Sequence, residues 1–208
     1  MIIHLLEFQV VPGHEAEVTG FLRHSLADDP LPAGVVMRCA GRRLEHNQSE
    51  HIVATCWRDD DALASGTDQN GLPSYMASKA EFLGSPRSTT YGAAASIGGG
   101  IEGGRIIRVY HALIDADAVT EWKQRWREQV DSVAGRDGLI CVRAGVSCSG
   151  PQSGGELSVV AVSAWRDWDA VLAATSGHID RLVEDTASSD LERSAELDHY
   201  QLIGPDAE

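Results

Sequence analysis

The chain has 208 residues, 43% of them hydrophobic and 23% charged, so the sequence predicts a globular protein of one large or two small domains. The formal net charge of −14 argues against nucleic acid and anionic membranes as partners, because phosphate binding needs lysine and arginine. No apolar run approaches a membrane span and no signal peptide is evident, so we expect a cytoplasmic protein that does not enter the membrane.

Hydrophobic patterns in the first half predict a strand, a helix, a hairpin, a second helix and a last strand. The strand, helix and hairpin lie, in that order, at 2–11, 15–27, and 34–43 with 50–58. The second helix begins at three consecutive aspartates, which favour a helix N-terminus through the backbone dipole. It is interrupted near 66–73 and resumes over 75–83, and the last and weakest pattern is a strand over 87–97.

A glycine-rich segment, 98–104, separates the halves and contains the spacing G-x-G-x-x-G. A dinucleotide site needs such glycines after a strand and at the opening of a helix, where backbone N–H groups meet phosphate. Here the glycines run into the next strand pattern. The segment is therefore interpreted as a linker.

The second half repeats the order of the first. It begins with a strand over 105–114 and a helix over 115–133, followed by a hairpin of two strands over 139–147 and 156–165. A second helix over 167–186 and a last strand over 197–203 complete it. The first of these helices carries Trp122 and Trp126 on its apolar stripe, and both are predicted to be core residues. The second helix is broken near Ser176 and Gly177.

Two similar segments anchor this repeat: 53–59 and 161–167 both end in Trp-Arg-Asp. The halves align with few gaps, and the extra residues of the second half fall in one polar turn, as expected for a duplication. The predicted organisation is thus a first repeat over 1–97, a linker over 98–104 and a second repeat over 105–208.

Each half has the order β-α-β-β-α-β, which is the ferredoxin-like order and predicts an α+β fold. The strands are apolar on both faces, so both faces of each sheet need cover. Helices cover one face, and the sheet of the other half is predicted to cover the second. The sequence therefore predicts one α+β barrel formed by two ferredoxin-like repeats within a single chain.

A β-α-β-β-α-β unit whose third strand closes with Trp, followed by a short acidic and alanine-rich helix, resembles the dimeric α+β barrel superfamily. Within it, the chain resembles the antibiotic-biosynthesis-monooxygenase-like domain. In the second half, Trp165-Arg166-Asp167 with His178 carries the resemblance, although the spacing between Trp165 and His178 is a little long. The first half has Trp57, with Asn70 at the place of the histidine. The resemblance covers nearly the whole chain twice. It implies an intrachain pseudo-dimer, which could itself form a homodimer.

The resemblance implies two classes of ligand. Some members oxidise aromatic polyketides and quinols without a cofactor, whereas others bind or degrade haem with an Asn in the first strand, a Trp and a His. The place of that Asn falls at Leu6 and Tyr110, which argues against haem degradation. We expect cofactor-independent oxidation of a flat aromatic or quinol molecule. The alternatives are a haem-binding protein and a non-catalytic binding or stress protein, so the sequence leaves open whether the chain is an enzyme.

Three residues are predicted to be catalytic. His178 follows a glycine in a broken helix, where its imidazole could enter a pocket and ligate haem or bind a quinone oxygen. Trp165 could wall a flat pocket and offer its indole N–H, and Tyr110 occupies the place of the relatives' Asn. As structural alternatives, His178 is a surface or capping residue and Trp165 a core filler.

Three further residues are predicted to bind substrate: Trp57, His111 and Tyr200. His46 and His51 lie near one hairpin turn, but two ligands there make an incomplete metal site, so no metal is predicted. Glu7 is interpreted either as a buried base or as the partner of an arginine.

Overall fold

The helices and strands follow the predicted order, with differences at their ends. The structure, a computed structural model, describes residues 1–27, 30–44, 49–152, 154–178 and 190–204. The first half contains β1 (Ile2–Val10), α1 (Glu15–Ala27), β2 (Val35–Arg43), β3 (Glu50–Trp57), α2 (Asp60–Gly66), a 3-10 helix (Ser74–Phe82) and β4 (Leu83–Ile97). The second half contains β5 (Ile106–Asp115), a 3-10 turn (Ala116–Ala118), α3 (Val119–Val133), β6 (Leu139–Ser147), β7 (Glu156–Trp165), α4 (Trp168–Ala174) and β8 (Glu192–Leu202).

All strand pairings between the described strands are antiparallel, which confirms the predicted α+β class. The segment 98–104 connects β4 to β5 and opens no helix. None of the helices in the described part of the chain is long and apolar enough to cross a membrane.

The chain divides into two compact units, Met1–Thr90 with Tyr200–Glu208, and Tyr91–His199. We call them unit 1 and unit 2. In unit 1, β3 lies between β1 and β2, and the end of β8 pairs with β2. In unit 2, β7 lies between β5 and β6, and the end of β4 pairs with β6.

Each unit has a core between its sheet and its long helix. In unit 1, Leu6 and Phe8 of β1 pack in one cluster with Val18 and Leu22 of α1. In unit 2, Tyr110 of β5 packs in one cluster with Trp122 and Trp126 of α3, as the helical spacing of the two tryptophans predicted.

The Trp-Arg-Asp segments have a structural role in both units. The carboxylate of Asp59 accepts a hydrogen bond from Ala62 N, and that of Asp167 accepts one from Ala170 N, so each caps the helix that follows. The backbone N–H of each arginine donates to a glycine carbonyl across the sheet, at 2.8 Å in both units. The motif thus ends the strand, turns the chain and begins the helix.

Two strands begin earlier than the sequence predicts. β4 begins at Leu83 rather than 87, and β8 begins at Glu192 rather than 197. Their added residues are mostly exposed or half-buried, so they show no clear alternation of apolar and polar residues. Ser85 and Ser194 have φ of 48° and 50°, which interrupts the regular period near each start.

Two predicted helices also differ. The stretch 75–83 is a 3-10 helix rather than an α-helix, and it buries Met76 alone among its residues. The predicted helix 167–186 is α4 in its first part, and 179–186 lies outside the described residues.

We predict that Gly138→Ala destabilises unit 2 more than Gly135→Ala. Both glycines have φ near +80°, which costs an L-residue about 1–2 kcal/mol. A Cβ at Gly138 would also lie 2.2 Å from Ala170 Cβ, whereas a Cβ at Gly135 meets nothing within 4 Å. Overpacking should add roughly 1–3 kcal/mol for Gly138→Ala alone. Urea unfolding of both variants measures the difference, and equal losses would contradict the close packing of α4 on this turn.

Candidate functional site

The candidate site lies on the helix-facing side of the unit 2 sheet. Alternate residues of β5 share that side, and Tyr110 identifies it because its ring lies 6.4 Å from that of Trp126 on α3. The strand register places Arg108 opposite Ser163, and Ile106 opposite Trp165. Two of the predicted catalytic residues, Tyr110 and Trp165, therefore occupy one sheet face on either side of a buried arginine.

Arg108 brings a positive charge into this apolar face. Its side chain is 1% exposed, and its Nε donates to Nε2 of His199 at 3.3 Å. An imidazole that accepts at Nε2 carries its proton on Nδ1. The ring of Trp168, at the start of α4, lies 5.3 Å from that of His199. A guanidinium buried in an apolar face can stabilise a negative charge on a flat ligand.

A second polar group lies farther along the same face. Tyr110 Oη donates to Oε2 of Glu192 at 2.5 Å, and Trp122 Nε1 and Trp126 Nε1 donate to Oε1 at 2.7 and 3.2 Å. The two indole rings are 5.5 Å apart. Burial, and then the hydrogen bond to Glu192, raise the pKa of Tyr110 above its usual range. Glu192 thus accepts hydrogen bonds from three aromatic side chains on two elements.

Unit 1 has a different set of polar residues on the corresponding face. His4, Thr55 and Arg38 lie opposite one another across β1, β3 and β2, and all are at most 5% exposed. His4 Nε2 is 2.8 Å from Ser88 Oγ, and burial lowers the pKa of His4 to about 4. The Arg38 guanidinium lies 4.7 Å from the centre of the Tyr75 ring. At neutral pH this row carries the charge of Arg38 but none from His4.

The other predicted binding residues are not gathered at the unit 2 face. Trp57 is buried in unit 1 against Ile2, Val35 and Ala62. Tyr200 is buried where β8 pairs with β2, and His111 is half-buried and points to the opposite side of β5 from Tyr110.

His178 is exposed after the end of α4, and its backbone N–H donates to the carbonyl of Thr175 at 3.1 Å. The residues from 179 to 189 lie outside the described residues.

The two remaining sequence hypotheses are resolved in part. Glu7 forms an ion pair with Arg87 at 3.0 Å, which agrees with the second of its two interpretations. His51 is buried, with Nδ1 2.9 Å from the Ser49 carbonyl, and His46 lies outside the described residues. The described residues contain no group of three or more metal-ligating side chains.

Sequence reasoning missed Arg108, His199 and Glu192. A signal for Arg108 was present, since a charged residue interrupts the apolar run of β5. Glu192 had no such signal, because the predicted strand began five residues after it.

Comparison with known proteins gives the fold. No protein-family model and no curated protein matches the sequence. A Lactobacillus acidophilus structure described as a "putative monooxygenase" has a TM-score of 0.72 and 8% identity, covering 97% of this chain and 93% of its own. A structure described as an anthrone oxidase-like protein has a TM-score of 0.60 and 13% identity, and the match covers 97% of this chain and 90% of that protein.

A Listeria monocytogenes ferredoxin-fold protein, described as related to antibiotic biosynthesis monooxygenases, has a TM-score of 0.50 and 8% identity. The match covers 96% of this chain and 94% of that protein. Identities this low establish the fold alone. The chain thus has the ferredoxin-like α+β fold of monooxygenase-type structures, and the predicted resemblance to the antibiotic-biosynthesis-monooxygenase-like domain is confirmed at the level of the fold.

We predict that His4 makes the protein less stable as the pH falls from 6.5 to about 4. The imidazole of His4 has a pKa of 6.5 in the unfolded chain and of about 4 in the folded chain, so the unfolded chain binds the proton first as the pH falls. The free energy of unfolding therefore decreases between these two pH values and levels off below them. The loss should be about 3 kcal/mol. Urea unfolding against pH should show a flatter profile for His4→Gln, whereas His24→Gln, which changes an exposed histidine, should keep the wild-type slope.

Proposed function

We propose that the chain oxidises a flat, electron-rich aromatic molecule with O₂ and without an added cofactor, on the helix-facing side of unit 2. The observation that carries the proposal is the buried Arg108, which lies between the rows of Trp165 and Tyr110 in the sheet. The substrate class that suits it is a phenol, quinol or polyketide-like anthrone. These molecules become anionic, are flat, and in the anionic form can reduce O₂ themselves.

The reaction balances without a cofactor. An anthrone methylene that becomes a carbonyl loses two hydrogens and gains one oxygen atom from O₂. The second oxygen atom leaves with those hydrogens as water. The oxidant is O₂ and the reductant is the substrate. The protein therefore needs to bind the ring, favour its anion and exclude bulk water.

The residues of unit 2 divide these roles. Arg108 stabilises the negative charge on the substrate oxygen. Trp165 and Trp168 provide apolar surfaces for a ring. The indole N–H of Trp165 donates to Ser163 Oγ at 3.1 Å, so its ring face is the part that can contact the substrate. The hydroxyl group of Tyr110, which donates to Glu192, contacts the bound substrate. His178 stays a predicted catalytic residue, and Trp57, His111 and Tyr200 stay predicted binding residues.

We also propose that the two units arose by duplication of one β-α-β-β-α-β module. Matching details support this proposal: the aspartate caps, the glycines Gly34 and Gly138 packed on an alanine, and the serines Ser85 and Ser194 with φ near +50°. The predicted barrel, in which the two sheets cover each other within one chain, stays a prediction. So does homodimer formation.

We predict that the protein consumes O₂ with members of a panel of anthrones, quinols and polyphenols. Arg108→Gln should lower kcat on the order of 10²-fold, because the charge that stabilises the anion is lost. Arg58→Gln removes an exposed arginine that pairs with Asp59 and should keep wild-type activity. An oxygen electrode with product analysis measures both, and circular dichroism checks that the variants fold. No O₂ uptake with any member of the panel would overturn the proposal and favour a non-catalytic binding or stress protein.

Haem binding through His178 is the alternative. The imidazole makes no recorded hydrogen bond within the described residues, so a ring nitrogen is available to iron, but the side chain is exposed in that part of the chain. When bound, haem would supply one-electron and O₂ chemistry. Titration with haemin tests this alternative. A Soret band that His178→Ala abolishes would support it, and a band unchanged in that variant would contradict it.

A further inference from the structure

We infer that Glu192 is the proton acceptor of the proposed oxidation and acts through Tyr110, which contacts the substrate. This inference rests on the proposed function and extends it by assigning the path of the proton.

The hydrogen bonds place the carboxylate at the end of a short path. Tyr110 Oη is 2.5 Å from Oε2, whereas the two indole N–H groups bind the other oxygen, Oε1. Tryptophan N–H is a donor that does not release its proton at ordinary pH, and the tyrosine hydroxyl both donates and accepts. Of the three recorded donors, Tyr110 is thus the one through which a proton can reach Glu192.

The strand registers identify the matching positions in unit 1. Gly41 pairs with Leu202, and Gly145 pairs with Ala93, so Leu202 of β8 corresponds to Ala93 of β4. Counting back along both strands, Glu192 corresponds to Leu83. The same count matches Ser194 with Ser85, the two serines with φ near +50°.

At the four matching positions, unit 1 is entirely apolar. Tyr110, Trp122, Trp126 and Glu192 are replaced there by Leu6, Val18, Leu22 and Leu83, all within one buried cluster. The same type of module thus packs its helix on its sheet without a carboxylate. Glu192 is half-buried, and a carboxylate withdrawn from water costs stability unless it is well hydrogen-bonded. The group in unit 2 is thus not needed for packing and indicates a chemical role.

The proton transfer balances. The substrate reacts as its enol, whose O–H bond breaks as Tyr110 Oη takes that proton and the proton of Tyr110 passes to Oε2 of Glu192. The substrate anion beside Arg108 then reduces O₂ by forming a carbon–oxygen bond at the former methylene carbon, and the resulting peroxide anion takes back the proton held by Glu192 through Tyr110. The O–O bond breaks as the same carbon loses its remaining hydrogen as a proton and becomes the carbonyl, and the departing hydroxide leaves with that proton as water, so the site regains its starting state.

Several charged groups surround this path and would shape its pH dependence. On α3, Arg125 binds both Glu121 and Asp190. Arg193 of β8 pairs with Asp115 of β5 and Glu156 of β7, and Arg108 of β5 contacts His199 of β8. The pH profile of kcat for the wild type therefore has to be interpreted together with these charged groups.

The test compares kcat against pH for the wild type, Glu192→Gln and Tyr110→Phe. Loss of general base catalysis should lower kcat on the order of 10²- to 10⁴-fold in both variants, and the double variant should lose no more than either. The acid-side fall of the wild-type profile should disappear in Glu192→Gln. Glu196→Gln, which changes an exposed glutamate of the same strand, should behave as the wild type.

A second measurement does not depend on turnover. Ultraviolet titration, with Tyr110→Phe to assign the signal, should show that Tyr110 ionises at lower pH in Glu192→Gln than in the wild type. If Glu192→Gln fails to fold, Glu192→Leu copies the residue that unit 1 carries and takes its place.

The outcomes separate this inference from the proposed function. If the wild type is active and Arg108→Gln is impaired but Glu192→Gln is not, the inference falls and the function stands. A lower kcat with an unchanged pH profile in Glu192→Gln, or an unaltered Tyr110 titration, would reduce Glu192 to a structural role. A wild type without O₂ uptake would overturn both.

Discussion

The structure depends on the burial of the central strand in each unit. β3 and β7 are flanked by strands on both sides, and nearly all of their residues are buried. A polar side chain on or beside such a strand costs stability unless it is hydrogen-bonded, because water is excluded there. The polar residues that do occur are therefore few, their partners are specific, and they define where chemistry can take place.

The two units meet this constraint differently. In unit 1, the polar row His4–Thr55–Arg38 lies between two apolar rows of the same sheet face. Unit 2 has Arg108 at the place of His4 and, farther along the same face, the carboxylate of Glu192, which accepts hydrogen bonds from three aromatic donors. Each unit thus serves as a comparison for the other, and the groups present only in unit 2 are those that the fold does not require.

Much of the fold could be predicted because the sequence repeats its pattern of strands and helices and marks it with Trp-Arg-Asp. The tryptophans at 57 and 165 are buried, and the aspartates cap helices, as strand ends followed by acidic residues suggest. Of the site, Tyr110 and Trp165 were predicted from the resemblance to a family. Glu192 was not, because its strand begins among exposed residues whose pattern shows no alternation. Arg108 was not singled out either, because a sequence does not show which face of a strand its helix covers.

The most direct measurement is a crystal structure of the protein with a hydroxylated anthraquinone, a mimic of the product of anthrone oxidation. We expect the ring to lie on the helix-facing side of unit 2, with its oxygen atoms within hydrogen-bond distance of Arg108 and Tyr110. A ring bound at the His4 row of unit 1, or on the surface away from Arg108, would contradict it.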